Sequence, residues 1–429
     1  MFLNLGLGRM GCLAGALASA SNPLVLDLNF LTGAALDARI TFTRASSATG
    51  YNSAGTLTSY ASDVPRKDDY DPAALTVRGF AIEEQRTNLV LQSADLSNAA
   101  WTKTSATIGA GATAPDGTTA SSHYTASASP SSVVQSSLTV VASTAYVFSC
   151  FLKAGTATWL RVQYMDSTFT NGASCWVNIS TGTLGTAANL GTGTNAQHSI
   201  ESVGGGWYRY QITGIAGSAT AAVVGFRTVS ADSSSTTALT SVDIFGCQLE
   251  QATKASSYIP TTASSATRAA DSAIISGANF SGFYNAVAGT LLVEGMVLRA
   301  NAQAAQYFAV VSDGTTNNRT LSFLNLISTT TLAERHSVAG VATNPSDTLA
   351  TIAALTVIKL GMSVTAGTLL TSVNGATGNG SSPAAMPTVS QLTLGANEAG
   401  TGQFLNGWLR KVRYRNVADN QATLNALNV

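Results

Sequence analysis

Apolar–polar alternation, broken at short intervals by clusters of Gly, Ser and Thr, runs through most of this chain, and a side-chain period of two permits little besides β-strands. Residues 133–140, 145–153, 158–164, 173–178, 206–212 and 221–227 all alternate in this way, with no helical period between them. Regular short strands without crossover helices argue for an antiparallel sandwich, a jelly roll in particular, over residues 89–262. A small polar linker at 263–267 follows, and then the pattern resumes at 289–297, 307–311, 321–325, 357–364, 369–375, 391–395 and 407–414. Asp313-Gly314 and Asn374-Gly375 supply turn dipeptides suited to positive φ. Only 419–427 has helical spacing. The fold class is therefore all-β: two tandem antiparallel β-sandwiches at 89–262 and 263–429, preceded by an extended N-terminal segment at 1–88.

That N-terminal segment alternates as well, with Ile40 and Phe42 set against Thr41 and Thr43. It has too few large apolar side chains for a core of its own, so it must lie against the following domain or a neighbouring subunit. The first twenty residues end an apolar run in Ala18-Ser-Ala20, as a signal peptide does. The single basic residue Arg9 and the interspersed glycines favour a docking segment rich in small residues. No apolar run approaches the roughly 20 residues needed to span a bilayer, so no membrane insertion is expected.

Charged residues make up 10% of the 429, well below the roughly 25% of ordinary soluble domains. The 22 basic and 22 acidic residues cancel, which removes the concentrated positive face that nucleic-acid binding requires. Cys12, Cys150, Cys175 and Cys247 lack metal-ligand spacing and read as buried thiols. His123, His198 and His336 sit in polar, loop-like contexts. No metal and no cofactor is implied.

Carboxylates come closest to a catalytic set. Glu83 and Glu84 are neighbours in an extended stretch, so they point to opposite faces and cannot flank one substrate. Asp68, Asp69 and Asp71 read as a solvated group beside Arg66 and Lys67, with a calcium loop as the alternative. No GxSxG, HExxH or P-loop is present, and Gly204-Gly-Gly206 reads as a turn before a strand. An enzyme is not expected. Aromatic faces stack on sugars, which makes Trp159, Tyr164, Trp176 and Trp207 candidate members of a glycan platform; packing into the core is the competing explanation for each. Trp408 and Tyr414 fall on one face of a strand by alternation and read as core. The basic strand 410–415 reads as a source of salt bridges to a neighbour.

One stretch carries more than fold. Ile244-Phe-Gly-Cys-Gln-Leu-Glu250, running through Tyr258-Ile-Pro260 to Thr267-Arg-Ala-Ala-Asp271, resembles a recurring junction in bacteriophage fibre and spike proteins. Further landmarks occur in the same order: Phe42-Thr-Arg-Ala-Ser46, Gly79-Phe-Ala-Ile-Glu-Glu-Gln-Arg-Thr-Asn88, Trp101-Thr-Lys103, Phe151-Leu-Lys-Ala-Gly155 and Gly206-Trp-Tyr-Arg209. Through them the first sandwich resembles a carbohydrate-binding-module-like jelly roll. Leu369-Leu-Thr-Ser-Val-Asn-Gly375 and Phe404-Leu-Asn-Gly-Trp408 make the second similar to concanavalin A-like or laminin G-like domains. The resemblance implies a non-enzymatic structural protein on the virion exterior: a head spike, collar or tail fibre, or capsid decoration. It implies a homotrimer, docked to other virion proteins through the N-terminal segment and able to meet host-surface glycans. Two other readings stay open: a secreted or surface bacterial carbohydrate-binding protein, and a polysaccharide-degrading tailspike.

Overall fold

Strands occupy most of the computed structural model, which describes residues 24–298, 305–325, 332–343 and 353–429. The ladders are antiparallel, and the sheets pack as β-sandwiches. The first twenty-three residues, with Cys12 and the stretch ending at Ala20, lie outside the described residues.

One sandwich has two six-stranded sheets. We call the first the junction sheet; its strands run Thr194–Gly204, Trp207–Ile215, Tyr146–Ala154, Ser241–Glu250, Ala120–Ala126 and Ala106–Thr113. The second, the far sheet, runs Thr183–Leu190, Gly172–Asn178, Trp159–Asp166, Ala221–Val229, Ser132–Thr139 and Thr102–Thr104. Alternation sends Phe148, Cys150, Leu152, Tyr164, Tyr210 and Phe226 between the sheets, where they are buried in one cluster. Each large side chain so buried contributes about 1.5–3 kcal/mol. The strands Thr183–Leu190 and Thr194–Gly204 were not visible in the sequence, because their small and polar residues carry little apolar alternation. Cys150, Cys175 and Cys247 are buried free thiols.

The other sandwich draws on both ends of the chain. Its larger sheet contains Thr368–Val373, Ile358–Thr365, Ala288–Val297 and Gly407–Arg415, and the last of these pairs with Val77–Ile82 and also with Leu26–Asn29. In the opposing sheet, Thr41–Thr43 pairs with Ser272–Ser276, beside Gln391–Leu394 and Gln306–Ser312. Strands between residues 26 and 82 therefore join the second sandwich, where the segment was expected to lie against the domain that follows it or a neighbouring subunit. The physical reason is in the pattern: the strands are short and half-apolar, so they need a sheet edge and a core supplied by others. Phe30 and Phe42 pack on Phe80 with ring centroids 5.0 and 5.8 Å apart, inside the main core cluster. The helix Gln421–Leu427 forms as its spacing predicts, with the Asn420 side chain accepting from the Thr423 N–H.

A β-bulge changes one face assignment. Glu294 stands opposite Lys411, but Gly295 stands opposite Leu409, so Arg410 is the extra residue. A one-residue insertion reverses the facing of everything beyond it. Val412 and Tyr414 enter the core, whereas Trp408 turns outward to a small cluster with Ala81 and Met296. The expectation that Trp408 and Tyr414 share a face fails for this reason. The basic strand finds its carboxylates within the chain: Arg410 and Lys411 with Glu294 at 2.7 and 3.6 Å, and Arg415 with Asp419 at 3.0 Å.

Candidate functional site

The motifs at 44–46, 79–88, 244–260 and 267–271 converge on one place, the seam where the two sandwiches and residues 44–70 meet. Asn88 shows how. Its side chain donates to Cys247 O and Ile259 O at 3.1 and 2.8 Å, and accepts from the Val90 and Leu249 N–H groups, each at 3.0 Å. One buried amide thus meets its full hydrogen-bonding capacity while joining three segments. Gln248 and Glu250 extend the lattice to the Ile259 N–H and to Ser256. Gly246 makes the bulge in this strand at φ +62, where a Cβ would stand 2.8 Å from the Phe151 ring.

Beneath the seam lies a buried charge cluster. Arg66 binds Glu83 at 2.5 Å and Asp271 at 2.6 Å, Arg44 binds Asp271 at 3.1 Å, and Arg268 approaches Glu83 at 3.6 Å. Glu83 also accepts the Ser257 N–H and hydroxyl at 2.9 and 2.7 Å, and its own N–H donates to Asp271 at 2.9 Å. Burial raises the Glu83 carboxyl, but Arg268, Arg66 and Ser257 outweigh it and hold the group well below the usual carboxylate range. Such a cluster positions chain segments more than it stabilises them, because desolvation consumes most of the attraction. Glu84 does face elsewhere, toward Arg86 and Asn406.

The acidic loop differs from its sequence reading. Asp69 is buried, and so is Arg66. Asp69 accepts the Tyr51 N–H at 2.6 Å and the Trp408 indole N–H at 2.7 Å. Burial pushes its carboxyl up to about 6. Asp68 pairs with Lys67 and Asp71 with Arg78, so the three carboxylates do not point at one centre. Among the described residues no group of three His, Cys, Asp or Glu is placed to hold a metal ion. The histidines lie on strands, where loops were expected: His123 meets Asp243, His198 the Tyr210 hydroxyl, and His336 is buried between Thr320 and Ala385.

Above Asp69 the outward faces of the two sandwiches enclose a cavity of about 570 Å³. One wall is the junction sheet, where Glu201 stands opposite Arg209 and Ser199 opposite Gln211. Gln211 donates to the Ser199 hydroxyl at 2.7 Å and accepts the Ala255 N–H at 2.9 Å; Arg209 donates to Ser256 O at 2.7 Å with its guanidinium 5.3 Å over Phe151. The other wall carries Trp408, Ala81, Leu298 and Leu355. Arg78 crosses between them, bonded to Glu201 and stacked 4.9 Å over Trp408. Polar groups with fixed orientation thus face an apolar, aromatic wall, in a volume within the roughly 300–1,000 Å³ of small-molecule sites.

The four aromatic candidates do not form one platform. Tyr164 is in the first sandwich's core against Tyr146. Trp207 is buried under residues 51–57 on the junction sheet, its indole N–H donating to Thr113 O. Trp159 and Trp176 do share the outward face of the far sheet, with Trp176 largely covered and its N–H on Ser234 O. Sequence reasoning missed Trp408, Arg209 and Gln211 as cavity residues; a bulge and a contact between sandwiches leave no local periodic signal.

No family model matches the sequence, and no curated protein matches it. Among solved structures, the Ruminococcus gnavus IT-sialidase CBM40 bound to alpha2,3 sialyllactose is similar over 34% of this chain and 84% of its own, at 10% identity and TM-score 0.29. Domain 4 of AbnA, a GH43 extracellular arabinanase from Geobacillus stearothermophilus, in complex with arabinotriose, matches 41% of this chain and 82% of its own, at 12% identity and TM-score 0.31. The native heptameric SAP-like pentraxin from Limulus polyphemus matches 34% and 73%, at 13% identity and TM-score 0.25.

Proposed function

We propose that this is a non-enzymatic glycan-binding protein whose sugar seat is the junction cavity. The observation that carries the reading is the pairing of Gln197, Ser199, Glu201 and Gln211 on one wall with Trp408 and Leu355 on the other. Sugars present hydroxyls on their edges and apolar C–H faces, so a site for them needs both kinds of wall at once. The test is a printed array of bacterial and animal glycans, followed by calorimetric titration of the best-retained oligosaccharide. Retention of a defined glycan class supports the reading, and an array with no ligand contradicts it.

The setting we propose is the exterior of a phage particle, as a fibre, spike or decoration that presents this seat to host-surface glycans. The ordered motifs support it. Since residues 24–88 are engaged within the chain, docking to other virion proteins would fall to residues 1–23, outside the described residues. A homotrimer in sedimentation and antibody labelling of intact particles are the expected results. A secreted or surface bacterial carbohydrate-binding protein would share the sugar seat and differ in setting; an N-terminus processed near Ala20, read by intact mass, would select it. The tailspike reading needs two free carboxylates across one substrate. In the cavity Asp69 is occupied by Tyr51 and Trp408, and Glu201 by Arg78. Incubation with host polysaccharide is expected to release no new reducing ends.

A further inference from the structure

The far sheet's outward face holds a second arrangement, remote from the junction seam. Arg161 stands directly opposite Trp176 on one neighbouring strand and directly opposite Arg227 on the other. Trp159, two residues before Arg161, points to the same side, about 7 Å along the strand. Two like charges placed opposite each other repel and are ordinarily avoided in a sheet. Here the cost is not relieved by a carboxylate: no ion pair among the described residues reaches either guanidinium. The nearby Asp232 is committed to Thr186 and Ser233.

Both arginines are nonetheless held in place. Arg161 Nε donates to the Ser174 hydroxyl at 2.6 Å, and its guanidinium lies 5.0 Å over the Trp176 ring. Arg227 Nε donates to Ser131 O at 3.1 Å. Each bond engages the inner nitrogen, and no hydrogen bond among the described residues engages the terminal pair. Burial, and then the charge of Arg227, depress the affinity of Arg161 for its proton, as expected for cations lacking a counter-ion. Terminal guanidinium nitrogens in a fixed fork match the two oxygens of a carboxylate or the oxygens of a sulfate. A half-buried indole one ring's breadth away matches the apolar face of a pyranose.

We propose that this face is a binding site for an anionic sugar, with the acidic group on Arg161 and Arg227 and the ring against Trp159. A neutral glycan would leave the two charges unmatched, and a simple inorganic anion would leave the indole unused. The site lies on the far sheet, apart from the residues that line the junction cavity.

The test is a titration of the intact protein with trigalacturonate and with its methyl ester, followed by tryptophan fluorescence. Esterification keeps the rings and removes the charge. Trigalacturonate is expected to change the emission saturably, with affinity falling as ionic strength rises, and the ester to bind at least about tenfold more weakly. Arg161→Gln and Arg227→Gln should each weaken the acid about tenfold or more while leaving the melting temperature within a few degrees. Trp159→Ala, which removes neither charge, should also weaken it. Gln197→Ala, in the cavity, should leave it unchanged, so failure here is separable from failure at the junction. Equal binding of acid and ester, undiminished binding by both arginine variants, or no saturable response to the acid would overturn the proposal.

Discussion

The Trp408 indole donates its N–H to Asp69 Oδ2 at 2.7 Å, across 339 residues of sequence. This bond ties the last long strand of the second sandwich to the acidic loop of the N-terminal segment, at the floor of the cavity. It exists because the bulge at Arg410 turns Trp408 outward.

A buried carboxyl raised to about 6 leaves a signature in the pH dependence of stability. An unfolded aspartate titrates near 3.9, so between roughly pH 4 and 6 the folded state holds the extra proton. Asp69 therefore contributes most favourably below about pH 4, and that contribution declines as pH rises to about 6. In Asp69→Asn the decline should be absent. Urea unfolding of both proteins from pH 4 to 7 should show wild type losing ground to the variant, by at most about 3 kcal/mol. A difference independent of pH would place Asp69 in a less buried setting.

Glu83 works in the opposite sense. Its folded carboxyl lies below the unfolded range, so its stabilisation is present above about pH 4.3 and is lost as pH falls further. Glu83→Gln leaves Arg66 and Arg268 with fewer countercharges and should cost about 3–5 kcal/mol at neutral pH. The gap between wild type and variant should narrow in acid. Hydrogen exchange should show residues 257–271 opening first, since Ser257 and Asp271 both lean on Glu83.

Gly246→Ala tests the seam from the backbone side. At φ +62 an alanine is strained, and its Cβ would press on Phe151. A loss of about 2–3 kcal/mol in urea unfolding is expected, with Phe151 displaced from Phe245 and Tyr258. Gly204→Ala, in an open turn at φ +81, meets only Pro72 O at 3.0 Å and should cost less.

Much of this fold was legible in the chain because burial on one face of a strand writes itself as alternation. Leu160, Val162 and Tyr164, and Tyr210 and Ile212, were readable that way. The two edge strands Thr183–Leu190 and Thr194–Gly204 were not, since small and polar residues at a sheet edge carry no such imprint. The return of residues 24–88 into the second sandwich was legible only as a shortage of apolar residues, which says that a partner is needed and not which one. The site was less readable still. Arg44, Glu83, Arg268 and Asp271 stood out as motif members, whereas Arg66 was read only as a neighbour of the acidic loop, and their meeting is a long-range event. Asp69 looked solvated because its sequence neighbours are charged; Tyr51 and Trp408, which bond it, stand 18 and 339 residues away in the chain. Trp408 was misassigned by a single bulged residue.

The most direct test of the glycan-binding account is calorimetric titration of the array-selected oligosaccharide into wild type and into Gln197→Ala/Lys254→Ala, whose side chains line the cavity mouth. The account predicts saturable binding to wild type, at least about tenfold weaker binding to the variant, and nearly equal melting temperatures. Equal affinity in the two proteins would contradict it.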